Sequence, residues 1–307
     1  MNGGREIIKN INRKLYANLT KIDDSDEFFE FLTKPLRISV RVNTLKSDVD
    51  YVVSRLGDLI CGSVPWCEEG LFINTDEFSR IPEHQLGIIF SQEAASMIPV
   101  TLMELFPGQI VLDIAAAPGA KTTQIAQYLD NEGCIVANDV KRYRLNILIS
   151  NIQRCGVLIA KVTEKDGRFF GRFENKFDSV LVDVPCSNVG MIRRNYKYAK
   201  FWNPKMVYSL SNLQKSLLMA AYKAVKPGGV IVYSTCTLDP RENEGVVDYL
   251  IRNTDVEIER IKLPIKRRKP ILKFDDWEYS EEVRGCLRIH PQDNDTEAFF
   301  VAKLRKK

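Results

Sequence analysis

The sequence predicts an α/β protein with a doubly wound, mainly parallel sheet, preceded by a small α+β module. From residue 109 onward, short apolar runs alternate with amphipathic segments of helical length, as in strand–helix–strand units. Residues 37–43 instead alternate strictly between polar and apolar side chains, which is typical of a half-buried strand in a separate sheet. We therefore expect an N-terminal α+β domain over residues 1–88 and a larger domain over residues 89–307.

The composition is that of an ordinary globular protein. Of the 307 residues, 45% are hydrophobic and 27% are charged, which suits a chain with a large buried core. No apolar run approaches the roughly 20 residues of a membrane helix, and the N-terminus lacks the apolar segment of a secretory signal. These features predict a cytoplasmic protein with no membrane partner. The net charge of +4 is weak evidence for a nucleic-acid partner.

The cysteines and histidines limit the possible chemistry. Seven cysteines, an odd number without framework spacing, argue against a disulfide scaffold. The sequence contains no C-x-x-C and only two histidines, His84 and His290, so no metal site is expected. Proton transfers are then left to carboxylates, thiols or lysines.

The N-terminal module is predicted to combine helices with a half-exposed sheet. Its expected elements are helices at 7–19, 25–33 and 48–56 and strands at 37–43 and 71–73. In the first of these strands, Arg37 and Arg41 occupy the outward positions, opposite the apolar face. Outward arginines suggest a surface that lies against RNA, and a structural appendage with solvated arginines is the equal alternative.

In the larger domain the alternation of strands and helices is regular. The expected order is strand 110–114, helix 121–129, strand 134–138, helix 142–155, strand 158–162, strand 180–182, helix 204–225, a strand from 229, helix 241–253 and strand 298–304. Alternation of this kind predicts a doubly wound sheet, which binds ligands at the carboxyl edge of its strands.

Two of these strands are predicted to deliver reactive side chains to that edge. The apolar run at 180–182 stops at Asp183, and Pro185 prevents a further ladder hydrogen bond, so Cys186 follows the strand end. Cys236 lies just past the end of the strand that begins at residue 229. Two cysteines at two strand ends, one beside an aspartate, indicate a reactive site, although a free cysteine is commonly only a small buried hydrophobe.

The loop after the first strand of this domain predicts a cofactor site. Small residues at 115–120 allow a ligand to approach the backbone, and neither G-x-G-x-x-G nor G-x-x-x-x-G-K-[ST] is present. Asp139 follows the next strand, where a carboxylate can bind a ribose diol, and Asp166 follows the third, near an adenine. Each acid alone is more often a cap or turn residue. The ordered set fits S-adenosylmethionine, which carries no phosphate. The candidate cofactor residues are Ala115, Ala116, Ala117, Pro118, Gly119, Lys121, Asp139, Arg144, Asp166 and Asp183.

Two thiols and an acid suit methyl transfer to carbon 5 of cytosine. That carbon becomes nucleophilic when a thiolate adds to carbon 6, and Asp183 is placed to protonate or hydrogen-bond ring N3. A second thiol then assists release. A free thiol has a pKa of about 8.5, so activation by Lys121 or by a helix N-terminus is expected. From the residues alone Cys186 is the preferred nucleophile, because a Pro-Cys pair has this role in DNA cytosine methyltransferases.

These motifs, in this order, resemble the Sun-type (RsmB-like) RNA cytosine-C5 methyltransferases over most of the chain. The matching segments are 41–45, 92–96, 112–123, 138–139, 166–167, 183–187, 234–237, 242–244 and 296–300. The resemblance implies a Rossmann-like S-adenosylmethionine-dependent methyltransferase fold with an RRM-like N-terminal domain. It also implies that Cys236 is the nucleophile and that Cys186 serves product release. The departures are mild, with Ala115, Ala120, Asn188 and Ala298 at positions where the family usually has other residues.

The segment 192–200 mixes basic and aromatic side chains directly after the Cys186 loop, which is typical of a groove that neutralises phosphate and stacks bases. The candidate RNA-binding residues are Arg41, Arg193, Arg194, Tyr196 and Lys197. A solvated face is the alternative for such a run.

The sequence thus predicts a monomeric enzyme that forms 5-methylcytosine in RNA, with tRNA favoured because the family includes compact single-subunit tRNA enzymes of this length. Ribosomal RNA is the close alternative. An inactive RNA-binding or assembly factor is a different class, disfavoured by the presence of both thiols and Asp183. Methylation of an exocyclic nitrogen would require an aromatic residue in place of Cys186.

Overall fold

The computed structural model describes residues 3–75, 77 and 80–307, and these form three sheets. The helices are α1 (Gly3–Ile11), α2 (Arg13–Thr20), α3 (Asp26–Phe31), α4 (Val49–Leu56), α5 (Pro82–Gln85), α6 (Ile98–Thr101), α7 (Ala120–Tyr128), α8 (Arg142–Cys155), α9 (Lys197–Phe201), α10 (Pro204–Ala224), α11 (Glu244–Asn253) and α12 (Pro291–Asn294). The strands are β1 (Ile38–Val42), β2 (Ile60–Ser63), β3 (Gly70–Ile73), β4 (Ile89–Ser91), β5 (Ile110–Asp113), β6 (Cys134–Asn138), β7 (Ala160–Thr163), β8 (Phe177–Asp183), β9 (Val225–Thr235), β10 (Val256–Glu259), β11 (Lys273–Phe274), β12 (Trp277–Glu278), β13 (Leu287–Ile289) and β14 (Phe299–Lys306). Within these ranges, no helix is both long and apolar enough to span a membrane.

The large sheet has the predicted doubly wound architecture. Its strand order is β10-β14-β9-β8-β5-β6-β7, with β13 paired to β14. The pairs β8–β9, β5–β8, β5–β6 and β6–β7 are parallel, whereas β14 runs antiparallel to β9. The chain winds outward from β5 through β6 and β7 and then resumes on its other side at β8. Strand order therefore reverses beside β5, and a ligand crevice is expected at this point.

The apolar strands of this sheet are buried on both faces, as their composition predicts. Val180, Leu181 and Val182 of β8 are fully buried, and Tyr233 of β9 is equally inaccessible. Because consecutive strand residues point to opposite faces, burial of all three shows that side chains cover both sides of β8. The strand can therefore hold the residues that follow it in fixed positions.

The small sheet has the order β2-β3-β1-β4 and is antiparallel throughout. Val40 and Val42 pack with Val52 and Leu56 of α4 in one apolar cluster. Strand β4, at Ile89–Ser91, pairs with β1, so this sheet continues past residue 88.

Arg41 corrects a prediction, because it is not on an RNA-facing surface. Its side chain is fully buried and donates to Ala120 O at 2.8 Å, to Thr123 Oγ1 at 2.9 Å and to Gln127 Oε1 at 3.2 Å, and also to Gln92. The face predicted to meet solvent is covered by α7 of the large domain. Alternation of polar and apolar residues indicated two faces correctly but could not show that the polar face is also buried.

The N-terminus also differs from its prediction, because two helices replace the single one expected at residues 7–19. Asn12 is extended (φ −156°, ψ 102°) and accepts from Lys14 N and Leu15 N as the N-cap of α2. Its Nδ2 donates to Ala199 O and Trp202 O at 2.9 and 2.8 Å. These bonds attach the N-terminal helices to the large domain.

We predict that Arg41→Met lowers the free energy of unfolding by about 3 kcal/mol or more, because several buried acceptors lose a charged donor. Urea denaturation followed by circular dichroism measures the change. Arg37→Met, directly before the same strand and with a half-exposed side chain, is the matched control and is expected to cost less than about 1 kcal/mol. Equal effects of the two changes would contradict the assignment of Arg41 to the interior.

Candidate active site

The ends of β8 and β9 bring the predicted reactive residues together. The parallel register places Asp183 opposite Ser234. Beyond the strand ends, Cys186 Sγ and Cys236 Sγ lie 3.1 Å apart. Asn188 Oδ1 lies 3.1 Å from Cys236 Sγ and 3.6 Å from Cys186 Sγ. Asn188, which the sequence singled out only as a departure from the family pattern, is therefore in contact with both thiols.

The two loops that carry the thiols are bonded to each other. Ser187 Oγ lies 2.8 Å from Thr237 Oγ1, and Gly190 N donates to Cys236 O at 2.9 Å. A Cβ at Gly190 would lie 2.2 Å from Ala298 O, so only glycine fits here. Asn188 adopts the left-handed conformation (φ 57°), which asparagine tolerates better than most residues. The distance between the two sulfurs is thus fixed by one side-chain and one backbone hydrogen bond between the two loops.

Asp183 is held by hydrogen bonds at both oxygens. Oδ1 accepts from Ser234 Oγ at 2.6 Å, and Oδ2 accepts from Lys121 Nζ at 2.8 Å. Lys121 Nζ also donates to Ser96 Oγ at 2.9 Å. The Asp183 side chain remains 30% exposed, which leaves it accessible to a bound base. Its orientation is set before any substrate arrives.

The electrostatic surroundings favour the protonated form of Cys236. Its hydrogen bond with Cys186, followed by burial, raises the pKa of the Cys236 thiol well above its usual value. Lys121, offered by the sequence as an activator of the thiolate, donates to Asp183 and Ser96. Formation of the thiolate therefore requires a proton acceptor in the assembled site.

A buried acid–base cluster beside Cys236 was missed by the sequence analysis. Glu93 Oε1 accepts from Glu297 N and its Oε2 accepts from Ser96 N, both at 3.1 Å. Burial and the neighbouring Glu93 raise the pKa of Glu297 to about 7. Arg194 forms an ion pair with Glu297 and keeps its side chain half-exposed. Both glutamates belong to segments quoted as motifs, but they are 204 positions apart, and no spacing rule joins them.

Arg193 corrects a second prediction. Its side chain is 1% exposed, and it donates to Thr296 O at 2.9 Å, to Pro35 O at 2.7 Å and to Asp295 Oδ1 at 2.6 Å. These bonds tie the loop between β8 and α9, which carries Cys186 and which we call the catalytic loop, to the N-terminal and C-terminal segments. The Arg193 guanidinium is therefore not free to bind RNA. Neighbouring Tyr196 and Lys197 are exposed.

The cofactor loop lies beside β5, at the reversal of strand order. Gly119 begins α7 with φ 108°, a value that favours glycine. Asp139 Oδ1 accepts from Lys141 N at 2.9 Å, and Arg144 lies 3.1 Å from Oδ2 while also donating to Ala117 O. Arg144 thus connects the loop to the end of β6.

The residues present fit S-adenosylmethionine. Asp113 is buried and accepts from Thr122 Oγ1 at 2.7 Å, and its Oδ1 has no hydrogen-bond partner among the residues that the structure describes. Burial raises the pKa of Asp113 to about 7. Asp139 and Asp166 follow at the next two strand ends. Asp166 accepts from Arg168 N at 2.9 Å and pairs with its guanidinium, so it also has the capping role that the sequence left open. Acidic strand ends beside a loop of small residues suit hydroxyl and amine donors, with no cradle for phosphate.

An open α/β sheet with this crevice and an adjacent pair of thiols defines an S-adenosylmethionine-dependent methyltransferase. Residues 100–305 match the family described as 16S rRNA methyltransferase RsmB/F, and residues 10–94 match the N-terminal domain of 16S rRNA methyltransferase RsmF. The chain belongs to the RsmB/F family of RNA methyltransferases.

Among curated relatives, a tRNA (cytosine(49)-C(5))-methyltransferase of Pyrococcus abyssi is 54% identical over 306 residues and is covered to 98%, as is this chain. Ribosomal RNA small subunit methyltransferase F of Vibrio vulnificus is 42% identical over 303 residues, 95% of this chain. The chain spans 62% of the length of that relative.

Solved structures agree with the fold. A methyltransferase homolog protein from Pyrococcus horikoshii matches with a TM-score of 0.84 at 35% identity, over 95% of this chain and 94% of that one. NSun6 from Pyrococcus horikoshii, solved with SFG, matches with a TM-score of 0.78 at 26% identity, over 98% and 97%. The predicted family, the Rossmann-like fold and the cofactor are confirmed.

Glu242 supports the catalytic loop through a buried hydrogen bond to the backbone of Ser187. It is fully buried, and its Oε2 accepts from Ser187 N at 3.0 Å and from Gln214 Nε2 at 2.9 Å. Within the described part of the chain, its Oε1 has no hydrogen-bond partner. Burial raises the pKa of Glu242 from 4.5 to about 7. The folded protein therefore keeps a proton on this carboxyl over a pH range in which the unfolded chain has lost it.

We predict that Glu242→Gln removes part of the pH dependence of stability. Between about pH 4.5 and pH 7 the folded state holds the extra proton, so the free energy of unfolding of the wild type falls as pH rises and levels off above pH 7. The glutamine variant should gain on the order of 3 kcal/mol relative to the wild type across this range. Urea denaturation at pH 4.5, 6 and 7.5 measures it. The exposed control Glu257→Gln should follow the wild type, and a parallel curve for Glu242→Gln would show that its carboxyl does not titrate in this range.

Proposed function

We propose that this protein forms 5-methylcytosine in tRNA, through a transient bond between Cys236 and carbon 6 of the base. The observation that carries the proposal is the 3.1 Å separation of Cys186 Sγ and Cys236 Sγ, at the same sheet edge as the Asp183 carboxyl. Bound S-adenosylmethionine supplies the methyl group. The roles of the protein's own residues follow from their positions.

Cys236 is the nucleophile in this proposal. Of the two thiols it is the more exposed, since Cys186 is buried, so an entering base meets Cys236 first. The thiolate electron pair forms the bond from Sγ to carbon 6, and ring electrons move toward N3. Asp183, oriented by Ser234 and Lys121, holds a proton at N3 and stabilises the electron-rich ring.

Cys186 serves release. After methylation Cys186 accepts the proton from carbon 5, and the electron pair of that C–H bond restores the ring double bond. The bond from carbon 6 to the Cys236 sulfur breaks, and its electron pair returns to that sulfur. Cys186 lies within contact of that sulfur and is placed to assist this elimination. Asn188, which contacts both sulfurs, holds the two thiol side chains next to each other.

The cofactor is held at the reversal of strand order in this proposal. The small residues Ala115–Gly119 allow its close approach, Asp139 binds the ribose, and Asp166 lies on the adenine side. Arg144 is a positioning residue, because its guanidinium is engaged by Asp139 and Ala117. Lys121 and Asp183 form the boundary between this crevice and the thiols.

RNA enters along the segment that follows the catalytic loop. With Arg41 and Arg193 assigned to the interior, the proposed RNA-binding residues are Arg194, Tyr196 and Lys197. Tyr196 and Lys197 are exposed, so they are available for stacking and for phosphate neutralisation. Arg194 lies beside Cys236, where it can meet the backbone of the target nucleotide.

tRNA is favoured over ribosomal RNA because the chain is 54% identical to the Pyrococcus abyssi tRNA enzyme, compared with 42% for the ribosomal relative from Vibrio vulnificus. Cytosine 49, named for the tRNA relative, is the first position to test. An inactive binding factor is disfavoured because Cys186, Cys236 and Asp183 are all in place.

A cytoplasmic monomer without a bound metal is part of the proposal. Among the described residues, no three or more histidine, cysteine, aspartate or glutamate side chains are grouped as metal ligands.

Exchange of each thiol tests the assigned roles. Cys236→Ala should abolish methyl transfer to tRNA, since no adduct can form, whereas Cys186→Ala should accumulate a covalent RNA–protein adduct that survives denaturing electrophoresis. Labelled cofactor and mass spectrometry of the nucleosides identify 5-methylcytosine. The exposed Cys61→Ala is the matched control and should behave as the wild type. Adducts in Cys236→Ala instead of Cys186→Ala would exchange the two roles.

We predict that Asp183→Asn lowers kcat by about 100-fold or more and leaves the fold intact, because the amide retains the shape but cannot hold the proton at N3. Single-turnover methylation of tRNA at saturating cofactor measures this loss. Asp276→Asn, an exposed change outside the site, should leave kcat unchanged. A rate for Asp183→Asn within a few-fold of the wild type would remove Asp183 from the mechanism.

A further inference from the structure

A second cavity, separate from the thiols, lies between α10 and α11 and is closed on one side by the β11–β12 hairpin. Its volume is about 430 Å³. Four aromatic side chains line it, Tyr208, Tyr249, Trp277 and Tyr279. We call this cavity the α10–α11 pocket. Neither the proposed catalytic steps nor the cofactor crevice uses it.

Three of the four aromatic side chains of the α10–α11 pocket are exposed to solvent, whereas Tyr279 packs against an apolar core cluster. Trp277 is 54% exposed, Tyr208 49% and Tyr249 38%. The other tryptophans of the chain, Trp66 and Trp202, are buried. Exposed aromatic faces around a cavity of this size are suited to stacking on a planar ligand.

The pocket also holds a cation without a carboxylate partner. Lys215 Nζ lies 5.6 Å from the centre of the Tyr249 ring, and among the described residues no carboxylate oxygen comes within 4 Å of it. The nearby Asp248 is already engaged, since it accepts from Arg252 Nε at 2.8 Å and from Ser280 N at 2.6 Å. Burial lowers the pKa of Lys215, and the nearby Asp248 opposes this shift. An anionic group beside the aromatic faces would complete this site.

The pocket is structurally continuous with the catalytic loop. Ser211 Oγ of α10 donates to Arg241 O at 2.7 Å. The next residue, Glu242, accepts from Ser187 N in that loop. Along the chain, exposed Tyr196 and Phe201 lead from the loop to α10.

We propose that the α10–α11 pocket binds an unpaired nucleotide of the substrate RNA outside the catalytic centre, with its base on the aromatic side chains and its phosphate at Lys215. This inference rests on the proposed RNA substrate. A planar base and a monoanionic phosphodiester match the two features of the pocket, whereas an acidic peptide would leave the aromatic faces unused. The pocket thereby adds a contact that helps to select the RNA.

The test uses the full-length protein with unfractionated tRNA as the probe. Because Trp277 is the exposed tryptophan, stacking of a base should quench its fluorescence, and Trp277→Tyr should remove that signal while it retains binding. Lys215→Met and Trp277→Ala should each raise the KM for tRNA about 5-fold or more, with kcat at saturating tRNA unchanged. Exposed Phe106→Ala, away from the pocket, is the control and should leave KM unchanged. Thermal melting confirms that each variant is folded.

The outcomes separate this inference from the catalytic one. A raised KM in Lys215→Met and in Trp277→Ala, with normal adduct formation by Cys186→Ala in the same assay, supports it. An unchanged KM in a folded Lys215→Met overturns it and leaves the thiol chemistry intact. Titration with cytidine monophosphate distinguishes RNA from a free nucleotide. Quenching by the mononucleotide alone, with no change in KM for tRNA in any variant, overturns a role in RNA binding. If the wild-type protein did not methylate tRNA in this assay, the proposed function itself would be refuted.

Discussion

The parallel pairing of β8 with β9 is the constraint on which the site depends. It sets Asp183 against Ser234 and so delivers the carboxyl and both sulfurs to one point of the sheet edge. Because the side-chain period of a strand is two, a slip of one residue would turn Asp183 away from its partners. Burial of both faces of β8 specifies this register.

The sequence predicted the large sheet well because its information is local. Apolar runs, the stop at Pro185 and the loop of small residues each describe a single element, and the rule for strand ends then places Asp183, Cys186 and Cys236 at one edge. The positions of Cys186 and Cys236 in the sequence predicted that both thiols lie at the sheet edge. They did not predict the distance between the two sulfurs, which depends on the contact of Gly190 with the Cys236 loop.

Failures of prediction occurred where one element packs on a distant one. Arg41 and Arg193 are basic residues of the kind that bind RNA. Each instead donates hydrogen bonds to buried carbonyl or amide oxygens from other parts of the chain. An exposed arginine and one that joins two segments look alike in a sequence, because the partners of the latter lie far away along the chain. The pairing of Glu93 with the Glu297 backbone has the same origin.

The interior position of Arg41 means that the small sheet is bonded to the large domain and is not an independent RNA-binding module. Its guanidinium donates to Ala120 O in the first turn of α7, the helix that also carries Lys121, and Lys121 in turn donates to Asp183. Removal of the small sheet would therefore leave Ala120 O, Thr123 Oγ1 and Gln127 Oε1 of α7 without their guanidinium donor. A displacement of β1 would therefore be transmitted through α7 and Lys121 to the orientation of the Asp183 carboxyl.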